Sequence, residues 1–102
     1  MVRGEVWWAA GSDKDRPVLV LTRDPVADRI GSVVVAICTR TVRGVLSELP
    51  LTEADGMPDR CVVNFDNIYT LPRSTFRRRI TTLSRSRMAE ACTVLERAVG
   101  CI

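Results

Sequence analysis

An α+β fold is predicted: a strongly curved, barrel-like antiparallel sheet with one C-terminal helix packed on it. Two observations carry this. The first two thirds of the chain break into short β-branched or alternating runs separated by turn formers, and the last segment changes to a helical period.

Taken in order, Glu5 to Ala9 is a strand candidate, and Ala10 to Asp15 is a polar loop. Pro17 to Thr22 is an apolar run that starts on a proline, which is tolerated at a first strand position, and it should lie centrally in the sheet. Arg23 to Gly31 reads as a connection. Ser32 to Cys38, rich in valine and isoleucine, reads as a second buried strand. Leu46 to Leu51 roughly alternates, as a half-exposed strand does, and Glu53 to Asp59 is a loop. Cys61 to Phe65, Asn67 to Leu71 and Arg78 to Leu83 complete the strand set. Ser84 can cap a helix from about Arg85 to Val99 with Gly100 as its stop, and Met88, Ala91, Cys92, Leu95, Ala98 and Val99 fall on one face.

At 102 residues, with 46% hydrophobic and 26% charged residues, the chain suits one folded domain over residues 1–102 and not a disordered tail. No apolar stretch approaches the ~18 residues of a bilayer span, and nothing in the first residues reads as a signal peptide, so a cytoplasmic location is expected. Cys38, Cys61, Cys92 and Cys101 form no Cys-x-x-Cys pair and there is no histidine, so neither a metal nor another cofactor is expected and the thiols read as small buried hydrophobes. The net charge is +3, and all 15 basic residues except Lys14 are arginine, the side chain suited to forked contact with phosphate. A GC-rich coding sequence, which enriches arginine without any functional demand, accounts for that composition nearly as well.

The lack of histidine excludes a His-based triad and a two-histidine ribonuclease mechanism. With the six glycines scattered, no phosphate-binding loop is present either. What remains is a set of polar residues at strand ends: Arg16 before one strand, Thr39 after another, and Asn64, Asp66 and Asn67 between two later ones. A cation, a hydroxyl and amide or carboxylate groups are what a phosphodiester site needs for charge neutralisation, hydrogen bonding and base readout. Solvated surface residues and turn formers would look the same.

The blocks Arg3-Gly4-Glu5-Val6-Trp7, Arg16 to Thr22, Val33 to Thr39 and Val63 to Leu71, followed by Ile80 to Ser84 and a terminal helix, resemble in order and spacing the MazF/PemK family of toxins of type II toxin–antitoxin systems. The resemblance implies a CcdB/PemK-type, SH3-like barrel, a homodimer, and sequence-specific cleavage of single-stranded RNA in a groove across the dimer interface. It implies attack by the substrate's own 2′-hydroxyl without a metal, leaving 2′,3′-cyclic phosphate and 5′-hydroxyl ends, with translation and growth inhibited. Arg16 matches the family's catalytic arginine and Thr39 its catalytic threonine. Asp66 and Asn67 match base-contacting positions, Arg40 could meet a phosphate, and Ser12 and Lys14 belong to the loop over the site. Asn64 stands where a relative carries an arginine that helps catalysis, so only Arg16 and Thr39 transfer securely; Asp66 and Asp15 are candidate bases. The implied partners are the RNA and a cognate antitoxin with an acidic, apolar C-terminal tail, with no membrane involved.

Two other features stay open between packing and binding. Trp7 and Trp8 must face opposite sides of a strand, one into the core and one toward a base or an interface. Arg77-Arg78-Arg79 would be split across two faces by alternation. The competing functions are a CcdB-like inhibitor of DNA gyrase, against which the end Val99-Gly100-Cys101-Ile102 lacks that branch's tryptophan, and an RNA-binding adaptor with a dead site.

Overall fold

This computed structural model describes residues 2–23 and 31–100, and among them six antiparallel strands make one curled sheet and one α-helix closes one of its faces. The strands are β1 (Glu5–Ala9), β2 (Arg16–Val20), β3 (Ser32–Thr39), β4 (Glu48–Leu51), β5 (Cys61–Pro72) and β6 (Phe76–Thr82), and the helix is α1 (Arg85–Val99). Their order across the sheet is β4-β5-β3-β2-β1-β6. The half-barrel and its C-terminal helix agree with the predicted class, and the central position expected for the second strand holds. The expected connection from Arg23 to Gly31 lies largely outside the described residues, as does Cys101.

Strand limits differ from the sequence reading where side chains take over backbone bonding. β2 begins on Arg16, which pairs with Ala9, and Pro17 lies one residue in, opposite Trp8. It ends at Val20 because the Thr22 hydroxyl accepts the Val34 N–H at 2.7 Å in place of a backbone carbonyl. β4 starts at Glu48, since the Glu48 carboxylate accepts the N–H groups of Arg43 and Gly44 at 3.0 and 2.9 Å and folds Leu46 into a turn. The loop after β4 holds a 3-10 turn, Glu53–Asp55, closed by a reciprocal Thr52–Asp55 capping box. β6 runs from Phe76, and Leu83 instead donates its N–H to Gly4.

The largest departure is β5. The two predicted strands are one, interrupted by a wide bulge: Asn64 faces Ile37 and Ile68 faces the adjacent Ala36, so Phe65, Asp66 and Asn67 have no partner in β3. Phe65 N–H extends the β4 ladder to Ser47 O at 2.9 Å, and the donor that the break releases from β3, Asp66 N–H, is taken by Asn64 Oδ1 at 2.9 Å.

The main core lies between the sheet and α1, where Val6, Leu19, Ala36, Leu51, Val63 and Phe65 meet Ala91 and Val94. Val94 was missing from the predicted helix face, whereas Val99, placed on it, is exposed, since Ala98 is the last helix residue to pack on this core. Ser84 caps the helix by accepting the Arg87 N–H, and Gly100 closes it in the left-handed conformation at φ 66°. A smaller cluster of Ala9, Val18, Val20, Val33 and Val35 fills the opposite, concave face, where Trp7 meets Phe76 edge to face at 6.2 Å.

Two carboxylates lock this arrangement. Glu5, buried in β1, accepts from Val2 N–H, Trp7 Nε1 and Arg79 Nη1. Burial alone would raise its pKa, yet these donors hold it below the usual range. Asp55 joins the 3-10 turn to α1 through Arg87 Nε at 2.9 Å, and Arg87 also donates to Pro50 O. Here too burial opposes ionisation, and the Arg87 hydrogen bonds together with the Thr52 N–H outweigh it and lower the Asp55 pKa. Both folded pKa values lie below those of the unfolded chain, about 3.9 for Asp and about 4.3 for Glu. The stability they supply is therefore complete above about pH 5 and is lost as pH falls through the folded values. In urea titrations the unfolding free energy should be flat from about pH 5 to 7 and decline below about pH 4. Asp55→Asn should cost about 1.5–3 kcal/mol at neutral pH and flatten that acid limb; an unchanged limb in the variant would contradict the assignment.

Candidate active site on the concave face

Strand register alone brings the predicted pair together. β2 and β3 pair as Val18 with Ile37, Leu19 with Ala36 and Val20 with Val35. Continued to the strand ends, that register sets Arg16 opposite Thr39. Both then project from the concave face, where Ala9 is the partner of Arg16 and Asn64 the partner of Ile37. Arg16 is exposed, Thr39 is half-buried, and the Thr39 hydroxyl accepts the Thr41 N–H at 3.2 Å. Among the described residues no carboxylate pairs with Arg16, so its charge is available to an outside anion.

Arg16, Thr39 and Thr41 stand between two cavities and line both. The first, about 510 Å³, is walled by Trp8, Lys14, Asp15, Arg40, Asp59, Arg60 and the thiol-bearing Cys38 and Cys61. Its acids are engaged: Asp59 with Arg40 at 2.7 Å and Asp15 with Arg77 at 3.6 Å. The second, about 530 Å³, has an apolar floor of Val18, Ile37 and Leu71 and a polar rim of Ser12, Arg43, Asn64, Asn67 and Tyr69. An apolar floor with amides at the edge suits a flat heterocycle whose rim carries donors and acceptors. The β1–β2 loop supplies Ser12 to one cavity and Lys14 to the other. It turns so tightly that a Cβ on Gly11 would lie 2.2 Å from Lys14 O, which requires glycine there.

Of the predicted site residues, the structure gathers Arg16, Thr39, Lys14 and Arg40 at the first cavity and Ser12, Asn64 and Asn67 at the second. Asp66 lines neither; its carboxylate accepts the Ser47 hydroxyl at 2.6 Å. Asn64 is nearly enclosed, and its Oδ1 is spent on the Asp66 N–H, so it shapes the bulge as well as the cavity wall. Trp8 lines the first cavity while Trp7 joins the smaller core, as opposite facing requires. Arg77 sits in a second register shift between β1 and β6, so the arginine triplet does not alternate simply; Arg79 instead holds Glu5. Thr41, Arg43 and Tyr69 were not singled out in advance. A period of two extended beyond Thr39 reaches Thr41 and Arg43, and the same step from Asn67 reaches Tyr69.

Fold and site together define a small curled-sheet protein that presents an arginine–threonine pair to an anion between two receptive cavities. A family model for the PemK-like, MazF-like toxin of type II toxin–antitoxin systems matches residues 2–99. A protein of Mycobacterium tuberculosis described as probable endoribonuclease MazF2 is 64% identical over 102 residues, covering 99% of this chain and 100% of that one. The solved structure of Mycobacterium tuberculosis toxin MazF-mt6 superposes with a TM-score of 0.87 at 34% identity, over 94% of this chain and 96% of that one. The fold is also that of an endoribonuclease in complex with its cognate antitoxin from a mycobacterial species, with a TM-score of 0.90 at 22% identity over 100% and 97% of the two chains. The chain belongs to the PemK-like, MazF-like toxins of type II toxin–antitoxin systems.

The double use of Asn64 can be tested apart from any activity. Asn64→Ala strands the Asp66 N–H and should destabilise the fold by about 1–3 kcal/mol. Hydrogen exchange at the Asp66 amide should accelerate beyond that global change; unaltered protection at Asp66 would show that the side chain does not hold the bulge.

Proposed function

We propose that this protein is the toxin of a type II module and acts in the cytoplasm as an endoribonuclease on single-stranded RNA. The observation that carries the reading is Arg16, free of any carboxylate among the described residues, set opposite Thr39 between two cavities. A phosphodiester seated there has room for the nucleotides on either side.

In this reading the 2′-hydroxyl of the substrate attacks the adjacent phosphorus. The O2′–P bond forms, the P–O5′ bond breaks, and the proton removed from O2′ is balanced by one delivered to O5′. The ends are a 2′,3′-cyclic phosphate and a 5′-hydroxyl, with no metal required. Arg16 neutralises the pentacovalent phosphorane with its planar fork and is placed to protonate the leaving oxygen; Thr39 donates a hydrogen bond to a phosphoryl oxygen. Arginine holds its proton throughout the neutral range and is a poor base. Of the two carboxylates considered for that role, Asp15 shares the cavity of Arg16 and Thr39 and Asp66 does not. The second cavity takes one base: Tyr69, half exposed, offers a stacking face, and Asn67 meets the Watson–Crick edge. Lys14 and Arg40 meet flanking phosphates. Bases unstacked from a duplex are required for such contacts, so single strands are the substrate, and cutting mRNA stops translation and growth.

The protein works as a homodimer with the RNA groove crossing the interface. The β3–β4 loop supports this, because it exposes Val42, Val45 and Leu46 beside Arg43 at the second cavity, an apolar surface suited to cover by protein. An antitoxin whose acidic, apolar tail lies along the same groove would match both the cations and that surface and compete with RNA.

Cleavage ends sequenced from a mixed RNA pool in excess EDTA test the reading. Cleavage should persist in chelator and fall roughly 100-fold or more in Arg16→Ala and in Thr39→Ala. Asn67→Ala should instead relax one position of the motif by about ten-fold, the worth of a lost bidentate contact. Dependence on added magnesium, or full activity in both Arg16→Ala and Thr39→Ala, would overturn it.

A further inference from the structure

Two thiols in the wall of the first cavity are not used by the reaction proposed above. Cys38 is the next-to-last residue of β3 and Cys61 the first of β5. Cys38 pairs with Val63 and Thr39 with Val62, so Cys61 lies diagonally across from Cys38 on the helix-facing side of neighbouring strands. Both belong to the main core cluster and both reach the cavity beside Arg16 and Thr39. Each thiol is the largest influence on the pKa of the other. Cys38 stands next to the end of β3 and Cys61 at the start of β5, where the backbone can shift to bring the sulfurs to the S–S length of about 2.0 Å.

From this geometry we propose that Cys61 is a peroxide-reactive thiol and Cys38 its resolving partner, and that their disulfide, formed in the cleft wall beside Thr39, switches the toxin off. The chemistry balances as follows. The Cys61 thiolate attacks hydrogen peroxide, the O–O bond breaks, and the departing hydroxide takes up a proton as water, leaving Cys61 as a sulfenic acid. The Cys38 sulfur then attacks the Cys61 sulfur; the S–S bond forms, the S–O bond breaks, and the Cys38 proton leaves with the oxygen as a second water. Two thiols lose two electrons and one peroxide becomes two waters.

The electrostatics divide the roles the same way. The Cys38 thiol lowers the Cys61 pKa against the opposing effect of burial, and the nearby Arg40 charge adds to the lowering. The neighbouring Cys61 thiol, with complete burial, drives Cys38 well above the ordinary thiol value. Because β3 carries Thr39 one residue from Cys38, drawing the two sulfurs together displaces the hydroxyl from its place opposite Arg16. The effect on activity rests on the ribonuclease reading; the formation of the bond does not.

Trypsin separates the four cysteines into residues 30–40, 61–73, 88–97 and 98–102. Reduced, folded protein would be exposed to hydrogen peroxide, its remaining thiols alkylated, and the digest weighed without reductant. The expected product joins 30–40 to 61–73 and disappears on dithiothreitol treatment. In Cys38→Ala the sulfenic acid should persist and be trapped by dimedone on 61–73, whereas Cys61→Ser should give neither product; circular dichroism confirms that each variant is folded. Absence of the joined pair, or oxidation of residues 88–97 before 61–73, would overturn the assignment. RNA cleavage should be lost with the link and return on reduction, and a linked protein that cuts RNA at the undiminished rate would overturn the switch. The mass readout needs no RNA, so its failure is distinct from failure of the ribonuclease reading.

Discussion

The candidate active face depends on one break in strand pairing, the three-residue bulge that separates Asn64–Ile37 from Ile68–Ala36. In an unbroken strand Asn64 and Tyr69, five residues apart, would point to opposite faces. With Phe65, Asp66 and Asn67 inserted, the alternation is reset, and Asn64, Tyr69 and Leu71 all join the concave face that carries Arg16 and Thr39. Upstream of the bulge β5 therefore shapes the core beneath α1, and downstream it walls the second cavity. The cost of the break is contained locally, since Asn64 Oδ1 takes the Asp66 N–H that β3 no longer accepts, while Ser47 O keeps Phe65 N–H bonded on the β4 side.

Charge is partitioned between the two sides of the sheet in a way that serves this face. Glu5 with Arg79 and Asp55 with Arg87 are ion pairs whose carboxylates are largely buried, and they fix the sheet edge and the helix respectively. At the cleft the acids are instead held by neighbouring arginines, Asp59 by Arg40 and Asp15 by Arg77. That arrangement leaves Arg16 without a carboxylate partner among the described residues, and a cation so placed next to a hydroxyl is suited to stabilising charge that develops on a phosphoryl group. Of the thiol pair, Cys38 stands beside Thr39 on β3, one of the two strands whose register builds the site, and Cys61 lies on the neighbouring β5.

How far the sequence foretold this follows from the range of the forces involved. The helix was readable with both caps because a 3.6-residue period, a capping serine and a stop glycine are local signals. Strand existence was readable for the same reason. Strand limits were not, since Thr22 and Glu48 end or delay pairing through side-chain bonds to distant backbone. The bulge was invisible for a different reason: Asp66 and Asn67 look like a turn between two strands, and only pairing with β3 shows them to be an insertion within one. Arg16 and Thr39 could be listed as polar residues at strand ends, but their meeting required the β2–β3 register, and their roles came from family resemblance. Tyr69 and Arg43 were missed because their faces are defined only once the bulge and the β3–β4 loop are in place.

The central claim is that this cleft supplies charge and orientation while the RNA supplies its own nucleophile. An oligonucleotide carrying the preferred motif, with a single 2′-deoxy substitution at the nucleotide 5′ to the cut, tests it most directly. The account predicts that the substituted strand binds as tightly as the all-ribose strand by fluorescence anisotropy, and competes with it, but is not cut. Cleavage of the substituted strand at a rate comparable to the all-ribose strand would show that the nucleophile comes from elsewhere and would contradict the account.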